Sequence, residues 1–175
     1  MASSVQNQRL EILTKVIDKL KEMPVLHAFG KRDIGKLFSF SNVKRYAAGE
    51  TIIEEGSYDN WIYFLVGGSV RIIKNGKEID ELRRTGDIFG EMCVIDGNPR
   101  SASIQAVGNV TCLATDVSFM DSLYNEDKVA FCSIFYQMIA EVLACRLRET
   151  SSELARHKEE IQKLKSIINS NQKGA

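Results

Sequence analysis

The sequence predicts an α+β fold that is mainly β: a sandwich or barrel of short strands set between helical segments. Three observations predict it. Between Asn42 and Val117, short runs rich in β-branched and aromatic residues alternate with glycine turns, as in antiparallel sandwiches and barrels. Ahead of that region, Leu10, Leu13, Val16, Ile17 and Leu20 fall at helical spacing. Behind it, the stretch from Glu126 to Ile168 contains neither glycine nor proline and repeats apolar residues every seven positions.

The elements follow in order. The first helix runs from Asn7 to Met23 and stops at Pro24, which cannot continue it. A second helical region, VLHAFGKRDIGKLFSF, is expected to pack beneath the main domain through Phe29, Ile34, Leu37 and Phe38. Residues 1–41 thus form an N-terminal helical segment. The strand runs are VKRY, TIIEE, WIYFLV, SVRIIK, KEIDEL, SASIQAV and VTCLAT, and they place the β domain at 42–124. Lys74-Asn75-Gly76-Lys77 marks a hairpin, because Asn-Gly suits the positive φ angles of a type I′ turn. Trp61, Tyr63 and Phe64 fit either base stacking or the core, and their strand spacing favours the core.

The pattern turns helical again after Ser118. Phe119, Met120 and Leu123 suit a short helix, and Asn125-Glu126-Asp127 suits a capped restart. In the long helix that follows, over 125–168, Leu147, Leu154, Ile161 and Ile168 share one seam position. Leu143, Thr150, His157 and Leu164 fill the other. Glu153 with Lys158, and Glu160 with Lys165, flank the seam where parallel partner helices exchange charges. A parallel homodimer is the expectation, with 169–175 a frayed polar tail.

Composition narrows the function. The 23 basic and 23 acidic side chains balance, so no bulk charge attracts nucleic acid or an anionic membrane. No apolar run is long enough to span a bilayer, and MASSVQNQRLEIL lacks the order of a secretion signal, which makes a cytoplasmic location the expectation. Cys93, Cys112, Cys132 and Cys145 are too scattered for a zinc or thiol redox pair. They read mostly as small core residues, with Cys93 partly exposed. His27 and His157 lack partners at metal-ligand or triad spacing. Metal, haem, iron–sulfur cluster and catalytic activity are therefore not expected, an enzyme needing carboxylate or histidine clusters that are absent here.

The segment GDIFGEMCVIDGNPRSA, residues 86–102, carries the chemistry. Gly90 and Glu91 suit the start of a short helix, whose free N–H groups favour an anion. Arg100, after the turn Asp96-Gly97-Asn98-Pro99, offers a planar fork of donors for phosphate oxygens. Ser101 adds a hydroxyl and an N–H. Glu91 makes sense beside a phosphate only if the ligand also presents a hydroxyl. An isolated Glu and Arg around a turn would read as a surface pair; the length of the motif favours the ligand reading.

This segment resembles the phosphate-binding cassette of the cyclic nucleotide-binding domain family, which it matches at Gly86, Asp87, Phe89, Gly90, Glu91, Pro99, Arg100, Ser101 and Ala102. The resemblance extends from about Val25 to Ile168. It implies a β-roll of jelly-roll type, flanked by N-terminal helices and a long C-terminal dimerisation helix. It also implies a ligand site at Phe89, Gly90, Glu91, Met92, Arg100, Ser101 and Ala102, with Ile72 covering sugar or base. The segment RLRETSSEL resembles the dimer helix of the family's bacterial catabolite activators. That likeness implies that Thr150 and Ser151 read an adenine amino group across the dimer. Thr150 also fits a purely structural role as a polar seam residue.

The ligand implied is cyclic AMP. Cyclic GMP stays open, because a hydroxyl at Ser101 can serve a guanine amino group. No helix-turn-helix follows the long helix, so DNA binding is not carried over. The expectation is a stand-alone sensor module with an unnamed downstream protein partner. A dimeric interaction module insensitive to nucleotide is the alternative, and the intact cassette argues against it.

Overall fold

The computed structural model describes residues 41–118 and 125–173, with Asn7, Leu10, Glu11, Thr14 and Asp18 nearer the N-terminus. Those five positions are helical, and the Thr14 hydroxyl donates to the Leu10 carbonyl at 2.8 Å. The rest of the first helix, the second helical region and the short helix expected at 119–123 lie outside the described residues.

Eight strands and two helices follow in the described chain: β1 (Ser41–Tyr46), β2 (Thr51–Ile53), β3 (Trp61–Gly67), β4 (Val70–Lys74), β5 (Lys77–Leu82), β6 (Ile88–Phe89), α1 (Glu91–Asp96), β7 (Ser103–Ala106), β8 (Val110–Asp116) and α2 (Asn125–Lys173). The strands form two four-stranded antiparallel sheets, ordered β1-β8-β3-β6 and β2-β7-β4-β5. Every strand run read from the sequence coincides with a strand. β6 is the one the sequence did not announce, being only two residues long.

One apolar cluster draws on both sheets. Tyr63, Leu65, Phe89, Val110, Cys112 and Ala114 come from one, and Ile53, Val70, Leu82, Ile104 and Ala106 from the other. The core therefore sits between the sheets. β3 is buried on both faces, since Ile62 and Phe64 are as enclosed as Tyr63 and Leu65. Tyr63 and Phe64 are thus core residues, as the strand spacing indicates. Trp61 is half-buried, and the Lys44 ammonium lies 3.9 Å from its ring centroid, a cation–π contact.

The β4–β5 hairpin has the turn that Asn-Gly dictates. Asn75 has φ 51° and Gly76 φ 73°, and Lys74 pairs with Lys77 across it. A bulge between Ile72 and Ile73 shifts the register of this hairpin. At the far edge of the other sheet, the buried hydroxyls of Ser41 and Thr115 bond each other at 2.7 Å, which satisfies both.

The chain divides after Met138 into units 1–138 and 139–175, α2 entering both. In the second unit, Leu147, Leu154, Ile161, Leu164 and Ile168 are exposed. α2 runs on to Lys173 instead of ending at Ile168, and the first helix breaker in that stretch of sequence is Gly174. The cysteine expectations need one correction. Cys93 is buried, not partly exposed, and its thiol donates to the Asp59 carbonyl at 3.5 Å. Cys112 is also buried, whereas Cys145 is exposed.

Candidate functional site

The motif residues each have a local reason to fold as they do. Gly86 sits at φ 95° and exchanges backbone hydrogen bonds with β3: its N–H donates to the Leu65 carbonyl, and Leu65 N–H to the Asp87 carbonyl, both at 2.8 Å. The Asp87 carboxylate accepts from the N–H groups of Arg83 and Arg84 at 3.1 and 2.8 Å, closing the turn before β6. Phe89 stacks on Tyr63 with centroids 5.2 Å apart. Its side chain belongs to the core, so any contact of Phe89 with a ligand is through its backbone.

Gly90 then caps α1 in the left-handed region at φ 81°, ψ 9°. A Cβ there would lie 2.8 Å from Arg100 Nη1 and 3.0 Å from both Ile53 Cδ1 and the Trp61 carbonyl oxygen. Only glycine permits both the conformation and the close approach. Glu91, in the first turn of α1, is 2% exposed, whereas Met92 beside it is exposed. A carboxylate so enclosed is rare among glutamates. α1 ends at Gly97, whose N–H returns to the Cys93 carbonyl at 2.9 Å.

Arg100 is the centre of the arrangement. It is 3% exposed, and its guanidinium reaches four acceptor oxygens on three residues. Nε donates to one Asp59 carboxylate oxygen at 3.2 Å, and Nη2 to the other. Nη2 also donates to the Trp61 carbonyl at 2.6 Å, and Nη1 to the Gly90 carbonyl. The fork thus has a bidentate carboxylate partner, the geometry that orients an arginine most firmly. Asp59 is itself held, accepting from Trp61 N–H at 2.9 Å. The sequence reading missed Asp59, because 41 positions separate it from Arg100 and no local pattern links them.

The backbone of Arg100 is fixed as well. Gly56 N–H donates to its carbonyl at 2.9 Å, and its N–H donates to the Ser57 carbonyl at 2.8 Å. Ser101 is exposed, with its hydroxyl 3.7 Å from the Met92 sulfur, and Ala102 is half-buried. The Arg100–Gly90 and Ser101–Met92 contacts bring the two ends of the motif, Phe89 to Met92 and Arg100 to Ala102, side by side. Ile72 lies in β4, half-buried against the inter-sheet core. Thr150 and Ser151 are exposed residues of α2 in the second unit.

The model of the cyclic nucleotide-binding domain matches residues 43–127, which contain the motif 86–102 and all of the strands except the first two residues of β1. Those residues belong to the cyclic nucleotide-binding domain family. The domain is similar to the Cyclic AMP receptor protein of Thermus thermophilus, with 30% identity over 142 residues, covering 77% of this chain and 62% of that protein. It is also similar to the cAMP-dependent protein kinase regulatory subunit of Debaryomyces hansenii, with 31% identity over 93 residues, covering 53% of this chain and 21% of that one. The chain therefore spans only part of the length of these relatives. A solved cyclic nucleotide-binding domain from Methylobacillus flagellatus superposes with a TM-score of 0.74 over 84% of both chains at 21% identity, a likeness of fold.

Among the described residues, no helix is long and apolar enough to cross a membrane, and no group of three histidine, cysteine or acidic side chains gathers to hold a metal.

Proposed function

We propose that the protein is a regulatory module that binds cyclic AMP at 86–102 and couples its occupancy to a dimer formed by α2. The carrying observation is that Arg100 is buried and clamped by Asp59 and the Gly90 carbonyl. These partners fix the direction of the guanidinium within the fold, and donors held in place bind an anion at lower entropic cost.

In this reading the cyclic phosphate meets Arg100, the backbone N–H groups that open α1, and the N–H and hydroxyl of Ser101. Glu91 accepts the ribose hydroxyl. Met92 and Ile72 cover sugar and base. Thr150 and Ser151 contact adenine from the long helix, one of them supplied by the dimer mate. The dimer is a parallel coiled coil through Leu143, Leu147, Thr150, Leu154, His157, Ile161, Leu164 and Ile168. Exposure of five of these apolar side chains in a single chain supports that partner, since an unpaired apolar seam is unfavourable in water. Ligand occupancy moves α2 only through contacts that differ between its two positions, which is the role given to Thr150 and Ser151.

The test is calorimetric titration with cyclic AMP and cyclic GMP. Arg100→Ala is expected to weaken cyclic AMP binding by about 2–4 kcal/mol, the loss of a charge-assisted contact at a desolvated phosphate. Unchanged affinity in this variant would remove Arg100 from the site. Tighter binding of cyclic GMP than cyclic AMP would reassign the base and make Ser101 its reader.

A further inference from the structure

A second network lies beside the cassette and meets it at the backbone of Ser101. Lys74, at the tip of the β4–β5 hairpin, donates to the backbone carbonyl of Ser101. The same ammonium pairs with Glu55 at 2.9 Å. The other Glu55 oxygen accepts from Asn75 N–H at 2.9 Å, in the hairpin turn itself. Glu55 N–H in turn donates to the Ser103 hydroxyl at 2.9 Å. Three segments distant in sequence thus meet: the loop after β2, the hairpin tip and the residues just after Arg100.

We infer that the Lys74–Glu55 pair is a latch that sets the direction of the Ser101 peptide, making both side chains positioning residues for the phosphate donors. This rests on the reading of 86–102 as a nucleotide site. The physical step is the planarity of the peptide unit. A trans peptide points its C=O and its N–H in opposite directions. Lys74 on the Ser101 carbonyl therefore fixes where the N–H of Ala102 points, Ala102 being one of the residues read as the ligand site. The Gly56 N–H on the Arg100 carbonyl does the same for the Ser101 N–H. One anchor is a backbone bond from a loop, and the other is a side chain that must itself be oriented.

Glu55 supplies that orientation. Hydrogen bonds from Lys74 and then from Asn75 N–H hold its carboxyl below the usual range. The Glu55 carboxylate therefore stays charged at neutral pH and is neutralised as the pH falls through that lowered value. Both side chains are partly exposed, so the pair adds little to overall stability. Its consequence is local order at a loop that otherwise follows no strand ladder, residues 101 and 102 lying just before β7.

The test separates this from a direct attraction between Lys74 and the phosphate. Lys74→Met is expected to weaken cyclic AMP binding by about 3- to 10-fold, the scale of one hydrogen bond plus one exposed ion pair. Its melting temperature should stay within about 2 °C of the wild type. Glu55→Gln decides the mechanism. It removes a negative charge near an anionic ligand, so a direct effect of Lys74 would make binding tighter, whereas the latch requires it to become weaker. The gap between wild type and Lys74→Met should also narrow as salt rises from about 0.05 to 1 M, because exposed pairs are screened. Wild-type affinity in Lys74→Met, or tighter binding in Glu55→Gln, overturns the proposal. If the wild-type protein binds neither cyclic AMP nor cyclic GMP, the nucleotide reading fails. The latch is then judged by amide hydrogen exchange at residues 101–103, where faster exchange in Lys74→Met supports it and equal exchange refutes it.

Discussion

Replacing Gly90 with alanine separates two demands that the cassette makes on one residue. Gly49 provides the control, because both glycines have φ 81°. A Cβ on Gly49 meets nothing within 4 Å. Gly49→Ala therefore isolates the backbone contribution: about 1–2 kcal/mol for a non-glycine residue in the left-handed region, offset by ~0.4–1 kcal/mol from a stiffer unfolded chain. Gly90→Ala carries the same contribution and adds a steric one. Its Cβ falls 2.8 Å from Arg100 Nη1 and 3.0 Å from the Trp61 carbonyl oxygen. The carbonyl belongs to the backbone of β3 and cannot retreat without moving a core strand. The guanidinium is held by Asp59 on its other side. Overpacking of this kind typically adds about 1–3 kcal/mol. At roughly 2–4 °C per kcal/mol for a domain of this size, Gly90→Ala should melt about 2–12 °C below Gly49→Ala. Scanning calorimetry of the two variants reads the difference directly. If they melt together, the close packing of Gly90 on Arg100 is wrong.

Two further outcomes are expected. Leu154→Glu combined with Ile161→Glu places charges in the proposed α2 seam, and sedimentation equilibrium should show a dimer for the wild type and a monomer for this variant; an intact dimer in the variant would place the interface elsewhere. Thiol labelling followed by mass spectrometry should mark Cys145 first, since it is exposed. Cys112 should label only on unfolding, because it is buried and burial pushes its thiol up to about 12. Rapid labelling of Cys112 in the native protein would contradict the inter-sheet core.

Much of the site was legible because its demands are local. The Asn75-Gly76 turn and the start of α1 at Glu91 are both properties of neighbouring residues. The strand runs were legible for the same reason, being short apolar stretches bounded by turns. What escaped the sequence is what depends on contacts across the fold. β6 is a strand only because β3 lies beside it, pairing Tyr63 with Phe89 and Phe64 with Ile88. Cys93 is buried because α1 turns that face inward, toward the Asp59 carbonyl.

The sequence by itself determined the cassette motif, seven of the eight strand runs and the heptad of the long helix. Each is encoded by spacing or by the backbone preferences of adjacent residues, and both survive without knowledge of the fold. Only the tertiary structure decided that Arg100 is clamped by Asp59 and that Lys74 and Glu55 reach the Ser101 carbonyl. Those partners are brought together by the pairing of strands and loops far apart in the chain. Side-chain donors and acceptors carry no label of the partner they will meet, so the fold must choose it.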